Sequence, residues 1–217
     1  MYTTAKLVGY DGGILILSPS DPLDRELLQK NVEEIEIRLN DGRKISTIQR
    51  RKIFAIVRDI AMWSGHEPEY IRTMMTWEFV GKMDIEHFSL SDVDMTTAKE
   101  LINYIIEFCL SWDVPTQDTL LKQCDDIGKY LYLCLEYRKC AICNKPAEVH
   151  HVDVVGMGRN RDEIAHIGMR AMALCRIHHD EAHRLGNAFH ERYHVHGVEL
   201  DEYLCKKLKL KATDEVK

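Results

Sequence analysis

The chain lacks any stretch apolar enough to cross a bilayer. Its longest purely aliphatic run is Ile14-Leu15-Ile16-Leu17, against the roughly 20 residues that a spanning helix needs. No basic segment followed by a long apolar one opens the sequence, so no secretory leader is expected and the cytoplasm is the expected location. A surplus of positive charge is missing as well: 29 Lys and Arg stand against 35 Asp and Glu, a net charge of −6. That balance excludes indiscriminate nucleic-acid binding through bulk charge, though not a local basic groove. Internal repeats, low-complexity segments and a long flexible linker are absent from the sequence, which excludes a solenoid and loosely tethered modules. A disulfide framework is not expected either. The seven cysteines are odd in number, two of them form a Cys-x-x-Cys, and a third stands three residues before a histidine. In a reducing compartment that pattern points to metal thiolates.

The 217 residues, 45% hydrophobic and 29% charged, can bury one good core plus a small second domain. Charge is uneven along the chain. Residues 1–137 carry 15 basic against 23 acidic side chains, and residues 138–217 carry 14 against 12.

In chain order, residues 5–17 read as two short strands around Asp11-Gly12-Gly13, because Asp-Gly and Gly-Gly supply the positive φ of a tight hairpin. A short helix is expected over Asp24–Asn31 and a half-buried strand over Val32–Leu39. Ser46 and Gln49 form a capping box for a helix with Ile53, Ile56, Val57, Ile60 and Ala61 on one face, stopped by Gly65. Arg50, Arg51 and Lys52 cluster at its start and are candidate nucleic-acid contacts, since helix N-termini also attract phosphate. Pro68 opens a second helix. Thr97 and Glu100 are read as the capping box of a third, ended by Val114-Pro115, and a last helix is expected over Asp118–Tyr137. Cys109, Cys124, Cys134 and Cys205 fall in these helical patterns and read as small apolar fillers. The fold class is α+β: a small N-terminal sheet with a helical bundle over residues 1–137, then a metal-stapled module over residues 138–217.

Chemistry concentrates between Cys140 and His183, and nine of the eleven histidines follow position 149. Cys140-x-x-Cys143 and Cys175-x-x-His178 are two half-sites of a closed, structural Cys₃His zinc tetrahedron. His179 and His183, four apart on a helix, present both imidazoles on one face and can share a metal. A third ligand must come from elsewhere, and His150 or His151 is available. Neighbours on a strand point to opposite faces, so these two have different duties, one toward metal and one toward substrate, where a neutral imidazole suits a general base. Arg159 and Arg161, in the Gly156-Met-Gly158-Arg-Asn-Arg161 loop, are candidate phosphate clamps. His190, His194 and His196 read as packing residues beside Phe189 and Tyr193.

Cys140-Ala-Ile-Cys143, Val149-His150-His151 and Leu174-Cys175-Arg-Ile-His178-His179-Asp-Glu-Ala-His183 together resemble an HNH endonuclease of the ββα-metal type. The resemblance implies that His150, His179 and His183 hold a catalytic Mg²⁺, Mn²⁺, Ni²⁺ or Zn²⁺, that His151 is the general base, and that a structural Zn²⁺ sits on the cysteines. The middle Asn of that family falls at Arg170 here, and His166 stands nearby as a third catalytic candidate that could position metal or base. The helical pattern of Ser46–Ile60 and Thr97–Pro115, with Ser89-Leu-Ser-Asp between them, is similar to the phage NinB/Orf recombination mediators. That resemblance implies single-stranded DNA, single-strand-binding protein and homodimer formation. The combined arrangement looks like HNH nucleases of phages and prophages. The expected function is therefore metal-dependent DNA cleavage in phage recombination or DNA processing. The alternative is a non-catalytic single-stranded-DNA-binding mediator with a structural zinc module.

Overall fold

The computed structural model describes residues 5–19, 42–153 and 165–212. The helix expected at Asp24–Asn31, the strand at Val32–Leu39 and the Gly156–Arg161 loop lie outside the described residues. The N-terminal hairpin pairs β1 (Ala5–Asp11) with β2 (Ile14–Pro19) in antiparallel register. Gly12 (φ 52°) and Gly13 (φ 92°) take the left-handed turn positions that side-chain-bearing residues avoid.

Three long helices follow. The first, α1 (Thr47–Ser64), has its capping box: Ser46 Oγ accepts from the Gln49 N–H while the Gln49 side chain accepts from the Ser46 N–H. Gly65 closes it in the left-handed region at φ 74°. Pro68 is the first residue of α2 (Pro68–Met83). The third, α3 (Met95–Ser111), starts earlier than Thr97. Its cap is Asp94, whose carboxylate accepts from the N–H groups of Thr96 and Thr97. The Met95 N–H donates to the Arg43 carbonyl at 2.9 Å and the Ile45 N–H to the Val93 carbonyl at 2.8 Å. That local pairing keeps the chain extended up to Asp94, so Asp94 rather than Thr97 becomes the boundary residue.

The helix expected from Asp118 to Tyr137 is broken into α4 (Leu120–Gln123) and α5 (Ile127–Glu136). The cause is a side chain from α1. The Lys52 ammonium bonds the Cys124 carbonyl at 2.8 Å and pairs with the Asp125 carboxylate. Asp126 then recaps the chain by accepting from the Lys129 N–H. Burial pushes the neighbouring Cys124 thiol up to about 11.

Helix α5 is the pivot of the molecule. Tyr130, Leu131, Leu133, Cys134 and Leu135 are all buried. They face α3 on one side and, on the other, β4 (Arg170–Leu174), β5 (Val198–Glu199) and α8 (Glu202–Leu208). One buried cluster therefore runs from Ile45 to Leu208, straight through position 137. The C-terminal part is built on a three-stranded antiparallel sheet in the order β3 (Glu148–His151), β4, β5. Helix α6 (Arg176–Leu185) leaves β4 through Cys175, and α7 (Asn187–Tyr193) follows at Gly186. A Cβ on Gly197 would lie 2.9 Å from side-chain carbons of Val152 and Arg170, so only glycine lets the β5 approach sit this close to β4. No helix among the described residues is long and apolar enough to cross a membrane.

Candidate functional site

Two donor clusters share the strand–strand–helix corner formed by β3, β4 and α6. The first begins in the turn after α5. The Cys140 N–H donates to the Lys145 carbonyl at 2.7 Å and the Asn144 N–H to the Cys140 carbonyl at 2.8 Å. Asn144 is left-handed at φ 57°. Its side chain is used twice: Oδ1 accepts from the Leu120 N–H and Nδ2 donates to the Tyr130 hydroxyl, which itself donates to the Ala141 carbonyl. This turn is thereby bolted to α4 and α5 and presents both sulfurs toward α6. Cys175 sits at the N-cap of α6 and His178 in its first turn.

The four donor atoms of Cys140, Cys143, Cys175 and His178 lie within 4.8 Å of one another, so the group could hold a metal ion. Cys143 Sγ is 3.7 Å from Cys175 Sγ, and His178 Nδ1 is 3.4 Å from Cys140 Sγ and 3.2 Å from Cys175 Sγ. The edges of a tetrahedral zinc site with Zn–S near 2.3 Å are about 3.6 to 3.8 Å. A disulfide would need sulfurs at about 2.05 Å. Burial pushes the Cys140 thiol up to about 12, so ionising it calls for the positive charge that a divalent cation brings. Burial also works against Cys175, but donation from the His178 N–H and from the Cys143 and Cys140 thiols outweighs it and brings that thiol below its ordinary value.

The second cluster joins His150 on β3 to His179 and His183, one turn apart on α6, with donor atoms again within 4.8 Å. Ring centroids are 4.7 Å apart for His150–His179, 4.9 Å for His150–His183 and 4.8 Å for His179–His183. His150 is buried, and its Nδ1 has no hydrogen-bond partner among the described residues. Burial, then the imidazoles of His179 and His183, lowers its pKa to about 4. A neutral ring with an unspent buried nitrogen is the ligand form of histidine. A cation therefore fits this donor set. His178 and His179 are consecutive on α6, and one turns to each cluster.

His151 lies on the other face of β3. Its Nε2 is 2.9 Å from Nδ1 of His166, which is itself buried. Arg170 carries a different load. Its N–H (2.6 Å), Nε (3.0 Å) and Nη2 (2.7 Å) all donate to the Asp153 carboxylate. Those bonds hold the Asp153 carboxyl below the usual carboxylate range and pin the chain where it leaves β3.

The basic run at the start of α1 separates by face. Lys52 turns inward to Asp125 and Arg50 Nη2 donates to the Ser91 carbonyl at 3.3 Å. Arg51 is exposed and makes no ion pair among the described residues. Arg159 and Arg161 lie outside the described residues. His190 Nδ1 is 3.2 Å from the Val195 carbonyl, beside the buried Phe189.

Sequence reasoning passed over Glu148. Its Oε2 is 3.3 Å from His179 Nδ1, with Arg176 Nη1 4.0 Å from the same oxygen. Glu148 precedes His150 by two residues, and the two-residue period of a strand was the signal that placed both on one face. Glu181 was passed over too. It accepts from the Tyr193 hydroxyl at 3.0 Å and from Arg192 at 3.1 Å, and Tyr193 packs edge-on against His178 with ring centroids 5.7 Å apart.

Neither a curated protein nor a solved structure matches the chain. A family described as "Putative HNHc nuclease" matches residues 19–211, a span that takes in both donor clusters and the helices before them. On that coverage the chain belongs to the HNHc nuclease family.

Proposed function

We propose that the chain is a metal-dependent endonuclease that hydrolyses DNA phosphodiester bonds, and that its two donor clusters divide the work. The observation behind this reading is the convergence of His150, His179 and His183 beside the His150-His151 step of β3. Cys140, Cys143, Cys175 and His178 hold a structural zinc. His150, His179 and His183 hold a divalent cation in a ββα-metal corner. When bound, that cation stabilises charge developing on the phosphate and the departing oxygen. Histidine donors favour Mn²⁺, Ni²⁺ or Zn²⁺ over Mg²⁺.

His151 takes a proton from the water that attacks phosphorus. The new P–O bond forms as the bond to the leaving sugar oxygen breaks, and that oxygen departs with a proton from solvent. Arg159 and Arg161 hold backbone phosphates, and Arg51 offers a further exposed guanidinium. Residues 138–217 carry the chemistry. Residues 1–137, by their resemblance to recombination mediators, bring it to single-stranded or branched DNA in phage recombination, as a homodimer and alongside single-strand-binding protein.

The test is plasmid nicking by the purified chain after chelation and add-back of Mg²⁺, Mn²⁺, Ni²⁺ and Zn²⁺ in turn. Cleavage restored by at least one ion, and lost in His151→Ala, is the expected result. A wild-type chain that cuts with none of them, or a His151→Ala chain that cuts as fast as wild type, would sink the reading.

A further inference from the structure

All three tryptophans of the chain, Trp63, Trp77 and Trp112, are exposed, and Trp77 shares the outer side of α2 with Tyr70. Burial of Ile71, Met75, Phe79 and Val80 fixes which side of that helix faces the core. At 3.6 residues per turn the opposite side is Tyr70, Thr73, Trp77 and Gly81, spaced by three and four residues. Tyr70 and Trp77 are each 56% exposed. Histidines beyond the helix ends hold both rings: His66 packs on Tyr70 with ring centroids 5.2 Å apart, and His87 on Trp77 at 4.3 Å. Large aromatic rings fixed on a solvent face are the composition of a protein–protein contact.

Gly81 adds a second, independent observation. Glycine is the poorest helix former after proline. Its conformational freedom is not used here, since Gly81 is not in the left-handed region and the helix stops at Asp84, φ 50°. Its small size is not used inside the fold either, because a Cβ at Gly81 would meet no atom of the described residues within 4 Å. The room it leaves lies outside the fold, on the same side of α2 as the two aromatic rings.

We infer that this face of α2 is a contact between two copies of the chain, with the helices crossing antiparallel about a twofold axis between Thr73 and Trp77. The face is self-complementary under that operation. Trp77 of each copy lies over Thr73 of the other, and Tyr70 over Gly81, so a large side chain always meets a small one. Charge follows the same symmetry. Glu67 is the N-cap and Glu69 lies in the first turn, while Lys82 lies in the last. An antiparallel crossing sets Glu67 against Lys82 of the second copy and opposes the two helix dipoles, whereas a parallel one would bring like ends together. Lys82 keeps room for this carboxylate: its side chain is 55% exposed beside Glu107.

Single-stranded DNA also stacks on aromatic rings, but this face suits it less. None of its four residues is basic, Arg72 is committed to Glu69, and Glu67 and Glu78 stand along its border. The 16 residues of α2 make a contact about 24 Å long. That is short of the roughly 800 Å² per partner of a standard interface, so the dimer belongs to the weak, dissociating class. The inference gives a surface to the homodimer of the proposed function and rests on that part of it alone, independent of cleavage.

The test is sedimentation velocity on the full, zinc-loaded chain from about 1 to about 100 µM, where a weak dimer dissociates. Wild type should pass from monomer to dimer across that range. Trp77→Ala should weaken the dimer by about 30-fold or more, and Gly81→Lys should abolish it, with far-UV circular dichroism unchanged in both. Glu67→Lys and Lys82→Glu should each weaken self-association by about tenfold. An equimolar mixture of these two should regain dimer, because the antiparallel crossing then pairs opposite charges at both ends. A wild type that stays monomeric overturns the inference together with the homodimer part of the proposed function, and leaves cleavage untouched. A wild-type dimer that persists in Trp77→Ala and Gly81→Lys, or a mixture no tighter than its components, overturns the inference alone. So does a Trp77→Ala chain that dimerises normally but loses affinity for a single-stranded oligonucleotide in fluorescence anisotropy, which would make the face a strand-binding one. If Gly81→Lys fails to fold, Trp77→Ala decides, since its ring is largely in solvent.

Discussion

The two donor clusters share α6 and sit one residue apart on it, yet they differ in every property that matters to a cation. The cysteine cluster has four donors, three of them sulfur, and Cys140 and Cys175 are buried. The histidine cluster has three nitrogen donors graded from buried His150 through half-buried His179 to exposed His183. Four donors close a tetrahedron, whereas three leave a position for water or substrate. The surroundings differ in the same sense. The cysteine turn is tied to α4 and α5 through Asn144 and Tyr130, so it is continuous with the core. The histidine cluster opens toward solvent at His183 and has the charged pair of Glu148 and Arg176 at its edge. Chain spacing alone makes two similar-looking half-motifs, and burial is what tells the two clusters apart.

The largest way to break this comparison is at the scaffold. Cys143→Ser should remove the zinc proposed for this cluster and with it a large part of the C-terminal fold, because in a small module the binding energy of a metal is folding energy. A loss of several kcal/mol, or about 10 °C or more in Tm for a chain of this size, is expected. Zinc stoichiometry by atomic emission together with a melting curve checks it. Full zinc content with an unchanged Tm would mean that this cluster is no staple.

His151→Ala comes next and should act in the opposite way. Cleavage should fall by roughly 10²- to 10⁴-fold, while zinc content and Tm stay at wild-type values, because His151 belongs to neither donor cluster. Gel-resolved nicking rates beside a melting curve separate the two effects. His183→Ala sharpens the comparison further. The exposed ligand can be removed without opening the core, so catalytic-cation affinity should drop by more than about 100-fold while the cysteine zinc is retained. Release of zinc by His183→Ala would show that the two clusters are one cooperative unit.

How much of this could be read from the sequence depends on how far apart the partners are in the chain. Cys140 and Cys143, Cys175 and His178, and His179 and His183 are each set by local backbone geometry, so their spacing alone placed them. The capping box at Ser46 and the stop at Gly65 were legible for the same reason. What escaped needed a partner brought in by the fold. The break before α5 is imposed by Lys52, 72 residues upstream of the carbonyl it bonds. The α3 cap moved to Asp94 because residues 43 and 45 pair with its approach. Glu148 meets His179 across 31 residues, once β3 and α6 are packed together. Charge and motif both change at position 137, and α5, which ends just before it, packs against α3 on one side and against β4, β5 and α8 on the other.

The smallest effect tests the edge of the histidine cluster. Glu148 lies on the same face of β3 as His150, and its carboxylate is 3.3 Å from His179 Nδ1. A carboxylate there favours the Nδ1–H tautomer of His179 and leaves Nε2 as the donor toward a cation. The same carboxylate is 60% exposed and shared with Arg176, both of which weaken its hold. Glu148→Gln keeps the shape and one oxygen acceptor but removes the charge. Affinity for the catalytic cation should therefore fall by about tenfold, the low end of what outer partners of a metal-binding histidine contribute. Zinc on the cysteines and Tm should not move, because Glu148 touches neither the Asn144–Tyr130 bolt nor the buried sulfurs. Competition against a chelator of known affinity measures the loss, with Arg176→Ala as the counterpart. Freeing Glu148 from its guanidinium should tighten the His179 contact and shift affinity the other way. Equal affinity in wild type and both variants would mean that the histidine cluster is set by its three rings alone.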